Sequence, residues 1–143
     1  MSISEIKGGV CAPKGFVSAA TSCGIKEKAA DRLDLALIYS EKPTVGAAVF
    51  TENQIKAAPV VLSIDHLSKS EPRAIIANSG NANACTGDIG MANAKAMTVA
   101  TAEALDLDPS EVQVCSTGII GLNLPIDRIT PKICSLAESL QAE

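Results

Sequence analysis

The strongest constraint on this chain lies in its second half, where short buried apolar runs alternate with helical stripes. Arg73-Ala74-Ile75-Ile76-Ala77-Asn78 is a short apolar run that reads as a buried strand. A loop from Ser79 to Gly87 follows, and a helix is expected from about Asp88 to Leu105. Ala92, Ala96, Ala100 and Ala104 recur there at i, i+4, a row small enough to lie close to a sheet. Asp88 is placed to cap or complement the positive helix start. After Asp106-Leu107-Asp108-Pro109, Val112 to Ser116 reads as a second buried strand, ending at Thr117-Gly118 where another loop begins. Thr130-Pro131 reads as an N-cap with proline at the first helical position, and Ile133, Leu136, Ala137 and Leu140 give the final helix its apolar stripe. Strand, helix, strand, helix in that order is an α/β layer.

The first half makes the sheet mixed rather than purely parallel. Leu33, Leu35, Leu37 and Tyr39 alternate at period two, Ser40-Glu41-Lys42-Pro43 interrupts them, and Val45 to Thr51 resumes an extended apolar run. An antiparallel hairpin is predicted. Ala58-Pro59-Val60-Val61-Leu62 reads as a further short strand with Pro59 at its edge or first position, and Asp65 to Ser70 as a polar helical turn or loop. Gly8, Gly9, Pro13, Gly15 and Gly24 make the first thirty residues irregular chain with short strand pieces. Residues 1–143 contain no internal repeat, low-complexity tract or linker and read as a single domain.

A chain of 143 residues that is 47% hydrophobic can bury a core without metal or disulfides. With 2% aromatic residues that core must be filled by small aliphatic side chains, which favours close backbone approach and extended apolar contact with another chain. Twelve basic against sixteen acidic residues, with no basic cluster, disfavour nucleic acid. The apolar runs are too short to span a membrane, Met1 to Glu5 lacks a signal-like start, and a cytoplasmic protein is expected. Five cysteines without C-x-x-C and a single histidine indicate neither a disulfide framework nor a zinc site, and no cofactor is expected. Buried, unreactive thiols are predicted, including Cys115 within its strand and Cys134 on the apolar side of the last helix. His66, next to Asp65, reads as a surface feature rather than half of a triad.

Ligands of α/β sheets meet the loops at the carboxyl ends of strands, and two such loops occur here. The first offers amides at Asn78, Asn81 and Asn83, hydroxyls at Ser79 and Thr86, and glycines at 80 and 87. These are also the ordinary residues of turns, and no phosphate-binding fingerprint is present. In the second, Thr117-Gly118-Ile119-Ile120-Gly121, a hydroxyl and the next backbone N–H could form a donor pair for an oxygen gaining negative charge. The plainer alternative is that Gly118 and Gly121 turn the chain and Thr117 caps it.

Four segments, in order and spacing, resemble one family: Ala12-Pro13-Lys14-Gly15-Phe16, Phe50-Thr51-Glu52-Asn53 with Ala57-Ala58-Pro59-Val60, Asn78 through Gly87, and Ser116 through Gly121. It is the ornithine acetyltransferase family, the bifunctional glutamate N-acetyltransferases of arginine biosynthesis. The resemblance runs from about Gly8 to the final helix and implies a layered mixed-sheet α/β sandwich, of which this chain is the N-terminal, α-chain portion. It implies a precursor that cleaves itself before a threonine, leaving a β chain whose N-terminal threonine is the nucleophile, with assembly to α2β2. Acetyl passes from N-acetylornithine to that threonine and on to glutamate; acetyl-CoA as a further donor stays open. Thr117 and Gly118 match the family's oxyanion pair. The family's α chain continues past the position of Gln141-Ala142-Glu143 to a Lys-Ala pair before the nucleophile, so a truncated or processed α fragment is expected. A non-catalytic small-ligand-binding α/β module, and a structural remnant that only associates with a partner, are the competing readings. Intact mass of the natural product separates them, because a second chain beginning with Thr favours the enzyme.

Overall fold

The computed structural model describes residues 3–25 and 32–142. Of the irregular N-terminal stretch, residues 1–2 and 26–30 lie outside the described residues. Four strands, β1 (Phe16–Thr21), β2 (Leu35–Ser40), β3 (Ala74–Asn81) and β4 (Val112–Ile119), form one sheet in the order β1-β2-β3-β4. The first two pairings are antiparallel and β3 with β4 is parallel. The parallel pair needs a crossover, which α2 (Gly87–Leu105) supplies. Helices α1 (Ala58–Leu67) and α3 (Ile126–Glu138) complete the layer.

The register sorts the strand residues onto two faces. Leu35, Leu37, Ile76, Val112 and Val114 point into a core shared with Leu62 of α1, Ala94 and Met97 of α2, and Ile129, Ile133 and Leu136 of α3. On the opposite face Ala20, Ala36, Ala77 and Cys115 pair in one row across all four strands. Among the described residues the helices pack on the first face, and Ile75 and Cys115 of the second are exposed. Cys115 is therefore not a buried strand thiol, because its strand has only one covered side.

The antiparallel partner of β2 is β1, not Val45–Thr51. Both sides of β2 are already occupied by β1 and β3, so the apolar run has no vacant ladder on β2 to join. It joins no strand, with Val45 and Val49 exposed, and is tied to the domain by Thr44 Oγ1 donating to the Pro72 carbonyl and Gly46 N to Glu71 Oε2 at 2.7 Å.

Ala58–Leu62 is the start of α1 rather than a strand. Pro59 sits in its first turn, where a missing N–H costs nothing, and Pro59, Leu62, Ser63 and His66 fall at helical spacing on the buried side. This helix lies along the edge of β4. Ser63 Oγ donates to the Val114 carbonyl at 3.1 Å and lies 3.2 Å from Val114 N, and His66 Nδ1 is 2.8 Å from the Val112 carbonyl. His66 is accordingly buried, not a surface feature. Its ring and the Ser63 hydroxyl occupy main-chain groups that a fifth strand would otherwise take.

Two further expectations are displaced along the chain. The packed face of α2 is Gly90, Asn93, Ala94, Met97, Thr98, Thr101 and Ala102, while Ala92 is exposed and Ala96, Ala100 and Ala104 are half-buried. Thr101 Oγ1 donates to the Met97 carbonyl at 2.8 Å and Asn93 Nδ2 to the Leu124 carbonyl at 3.2 Å, so these polar residues enter the core with their bonds made. Asp88 lies in the first turn, and the N-cap residue Thr86 makes no side-chain cap bond. The last helix begins at Ile126, not Thr130, and carries Pro131 inside it. Cys134 lies on its exposed side, opposite Ile129, Ile133 and Leu136.

Candidate active site

β3 and β4 end side by side, with Ser79 opposite Thr117, Gly80 opposite Gly118 and Asn81 opposite Ile119. Both strands run further than the sequence suggested, so Thr117 and Gly118 belong to the end of β4 and not to the loop after it. Two glycines allow this. Gly118 has φ +136° and Gly80 φ +120°. A Cβ on Gly118 would lie 2.2 Å from the Gly80 carbonyl carbon and 2.5 Å from Asn81 N. The chain turns at Gly121 instead, whose N–H donates to the Ala84 carbonyl at 2.9 Å.

The Asn-rich run is spent on holding this end together. Asn78 Nδ2 donates to the Asn81 carbonyl at 2.9 Å, and its Oδ1 accepts from Ser116 Oγ at 2.6 Å. Asn81 Nδ2 donates to the carbonyls of Leu122 and Asn123 at 3.0 and 3.2 Å. Asn81 Oδ1 accepts from Asn83 N at 2.8 Å. Asn83 Nδ2 reaches the Gly90 carbonyl at 2.8 Å while its Oδ1 accepts from Thr86 Oγ1 at 2.9 Å. All three asparagines are buried. Gly90 is part of the design, because a Cβ there would meet Thr86 Oγ1 and come within 2.7 Å of Asn83 Oδ1. The amides that looked available for a ligand are bonded within the protein.

Thr117, by contrast, is exposed. The main-chain groups of Gly118 are placed by the ladder. Val112 and Val114 turn theirs outward to α1, whereas the Ile119 carbonyl faces β3 and accepts from Ala82 N at 2.9 Å. Alternation along a parallel strand puts Gly118 on the outward side with Val112 and Val114, at the free edge of the sheet. Helix α1 runs antiparallel to β4, since His66 meets Val112 and Ser63 meets Val114, so its N-terminal end is directed toward Thr117 and Gly118. The Ala58 N–H donates to the Asn83 carbonyl at 3.3 Å, and α2 starts at Gly87 from the same loop. The positive ends of two helix dipoles thus lie at this end of the sheet.

Beside Thr117 is a cavity of about 200 Å³ on the open face, lined among others by Ala20, Asp34, Ala36, Ala77 and Ser79. The sequence reading missed Asp34, an acid set between Leu33 and Leu35. It is 3% exposed, and its carboxylate accepts from Cys23 N at 2.6 Å and Ile25 N at 2.7 Å. Its carbonyl accepts from Ser79 N at 2.9 Å, joining the chain before β2 to the end of β3. Burial, with the Asp34 charge adding to it, pushes the Cys23 thiol up to about 11. The thiol of Cys115 is also raised by desolvation, though the residue is exposed on the open face. Among the described residues no group of three His, Cys, Asp or Glu is placed to hold a metal ion. Among them, too, no helix is long and apolar enough to cross a membrane.

A four-stranded mixed sheet with helices on one face is the α/β architecture found in solved ornithine acetyltransferases. The structure matches the ornithine acetyltransferase of Mycobacterium tuberculosis, solved as a complex with ornithine, with a TM-score of 0.86 and 43% identity over 92% of this chain and 70% of that one. It matches the arginine biosynthesis bifunctional protein ArgJ of Bacillus halodurans with a TM-score of 0.82 and 39% identity, over 87% of this chain and 64% of that one. The family model for ArgJ covers residues 17–143, and the chain belongs to the ArgJ family. Among curated relatives, the arginine biosynthesis bifunctional protein ArgJ of Dehalococcoides mccartyi is 48% identical over 126 residues, 88% of this chain and 31% of the relative. That of Caldanaerobacter subterraneus subsp. tengcongensis is 46% identical over 138 residues, 96% of this chain and 34% of the relative. The chain spans about a third of the length of these relatives.

Proposed function

We propose that residues 1–143 are the N-terminal, α-chain portion of a cytoplasmic acetyltransferase that moves acetyl from N-acetylornithine to glutamate. The nucleophile is the N-terminal threonine of a β chain, and Thr117 with Gly118 forms the oxyanion hole. The observation that carries this reading is the pairing of an exposed threonine with an edge-facing glycine N–H at the mouth of two helix N-termini. Such a pair can donate two hydrogen bonds to an oxygen as it gains charge. The open sheet face, with Ile75 and Cys115 exposed and Ile119 at the end of β4, supports a fold continued by the β chain into an α2β2 assembly.

The chemistry is a double displacement. The threonine hydroxyl attacks the acetyl carbonyl, its proton passing to the α-amine of the same residue, and the tetrahedral oxyanion is held by Thr117 Oγ1 and Gly118 N. Collapse breaks the amide bond and ornithine leaves with the proton on its amine. Glutamate's amine then attacks the ester through a second oxyanion in the same hole, and the threonine oxygen leaves reprotonated. No cofactor is required.

In the full-length enzyme, Thr117→Ala is expected to lower kcat on the order of 10^2- to 10^3-fold, with Michaelis constants moving far less. Thr117→Ser, which keeps the donor, is expected to retain much of the rate. Steady-state kinetics with N-acetylornithine decides it: kcat within about threefold of the parent in a folded Thr117→Ala protein, under 1 kcal/mol, reduces Thr117 to a strand residue. The same assay with acetyl-CoA in place of N-acetylornithine determines whether that donor is used.

A further inference from the structure

We infer that Asn81 is a positioning residue for the oxyanion hole, acting through the segment that follows Gly118; the inference rests on the role proposed for Thr117 and Gly118. The geometry around Gly118 requires such a residue. Its φ of +136° is one of several that a glycine adopts at little cost, so the direction of its N–H is set by the contacts on either side. It must be held from both sides.

Upstream, Ser116 is anchored by the Asn78 amide, which also reaches the Asn81 carbonyl. Downstream, the side chain of Asn81 holds the carbonyls of Leu122 and Asn123 with one nitrogen, and its oxygen takes the Asn83 N–H. Donor and acceptor are therefore both in use, and they bridge the loops after β3 and after β4. Asn81 is 5% exposed, so water does not replace those bonds cheaply. The flanking backbone bonds, Ala82 N to the Ile119 carbonyl and Gly121 N to the Ala84 carbonyl, tie the same two loops. Among the described residues the amide of Asn81 is what bonds residues 122 and 123, where the chain leaves the turn, while Asn93 Nδ2 holds the next carbonyl, that of Leu124, from α2. Release of that contact lets Ile119–Asn123 swing and takes the Gly118 N–H off its line to the oxyanion, while the substrate's other contacts stay where they are.

The test is Asn81→Asp in the full-length enzyme. The change is nearly isosteric and keeps the acceptor for Asn83 N, but sets an oxygen against two carbonyls. A kcat lower by on the order of tenfold to a hundredfold is expected, with KM for N-acetylornithine within about threefold, as for a misaligned catalytic group. Combined with Thr117→Ala, it should cost clearly less than the product of the two single losses, because both act on the same oxyanion. Full multiplication of the two effects, or a raised KM with kcat unchanged, overturns the inference and leaves the oxyanion hole standing. A Thr117→Ala enzyme with parental kcat removes the hole itself and the inference with it. If Asn81→Asp does not fold, as judged by circular dichroism and Tm, Asn81→Ser carries the same test. Failure of both to fold makes Asn81 a packing residue and also overturns it.

Discussion

Replacing Gly118 with alanine should separate two demands that one glycine meets. A methyl group there would lie 2.2 Å from the Gly80 carbonyl carbon, where ordinary contact begins at 3.4 Å, so the ends of β3 and β4 must part by about 1.2 Å. The obstacle is backbone on both sides and cannot rotate away. To that is added the strain of a side chain at φ +136°. Gly121 provides the control, since its φ is +83° but nothing lies within 4 Å of an added Cβ. Gly121→Ala should lose only the conformational part, about 1 to 2 kcal/mol. Gly118→Ala should lose a further 1 to 3 kcal/mol or so for overpacking, and kcat should fall on the order of a hundredfold because the shift carries the donor with it. Urea denaturation of the two variants, read with kcat on each, makes the comparison. Equal losses of stability, within about 0.5 kcal/mol, would refute the close-approach argument; a large stability loss with parental kcat would detach Gly118 from the chemistry.

The cysteines and Asp34 offer independent checks. Under native conditions Cys115 should react with a thiol reagent and Cys23 should not, in line with exposure of the first and the upward-shifted pKa of about 11 of the second; mass-resolved labelling reads both, and protection of Cys115 in the chain alone would contradict the one-sided sheet. Because folding raises the Cys23 pKa from 9.0, the unfolded chain releases its proton first, so stability is whole below about pH 9 and falls as pH rises toward 11; Cys23→Ala should flatten that alkaline loss in denaturation curves. Asp34→Asn sets an amide nitrogen against one of two backbone N–H groups and should destabilise by about 1 to 3 kcal/mol, measured by the same denaturation; a neutral result would mean that the residue 22–25 loop is held by other contacts.

What the sequence disclosed follows from where burial is uniform. β3, α2 and β4 are legible because their apolar residues pack against a covered face with regular spacing, and the Thr-Gly pair is legible because it closes such a strand. The extended run Val45–Thr51 carries the same apolar signal, but pairing is a property of vacant ladder positions, which composition does not record. Helix α1 was misread because Ser63 and His66 stand on its buried side, where polar residues are expected to face out. Their partners are main-chain groups of β4, more than forty residues away in sequence. The same reason hid the true face of α2, whose Asn93, Thr98 and Thr101 are buried with bonds made. The Asn-rich loop shows the converse: residues suited to a ligand were suited equally to each other, and only their distances decide which.

The lateral seal on β4 bears on how this chain avoids polymerising. An open strand edge invites a strand from another molecule, and most sheets discourage it with charge, proline or a bulge. Here the intruder is refused by two side chains of a helix lying across the doorway, and the refusal ends where Ser63 and His66 end. On β4 the three residues beyond, Ser116 to Gly118, are the stretch of edge without such a cover among the described residues. An edge that short offers too few ladder positions to hold a foreign strand. Loss of the Ser63 hydroxyl or of the His66 ring would lengthen the unguarded stretch toward that of an ordinary strand, so the same substitutions that loosen α1 would also turn the edge proposed for an oxyanion into a template for aggregation.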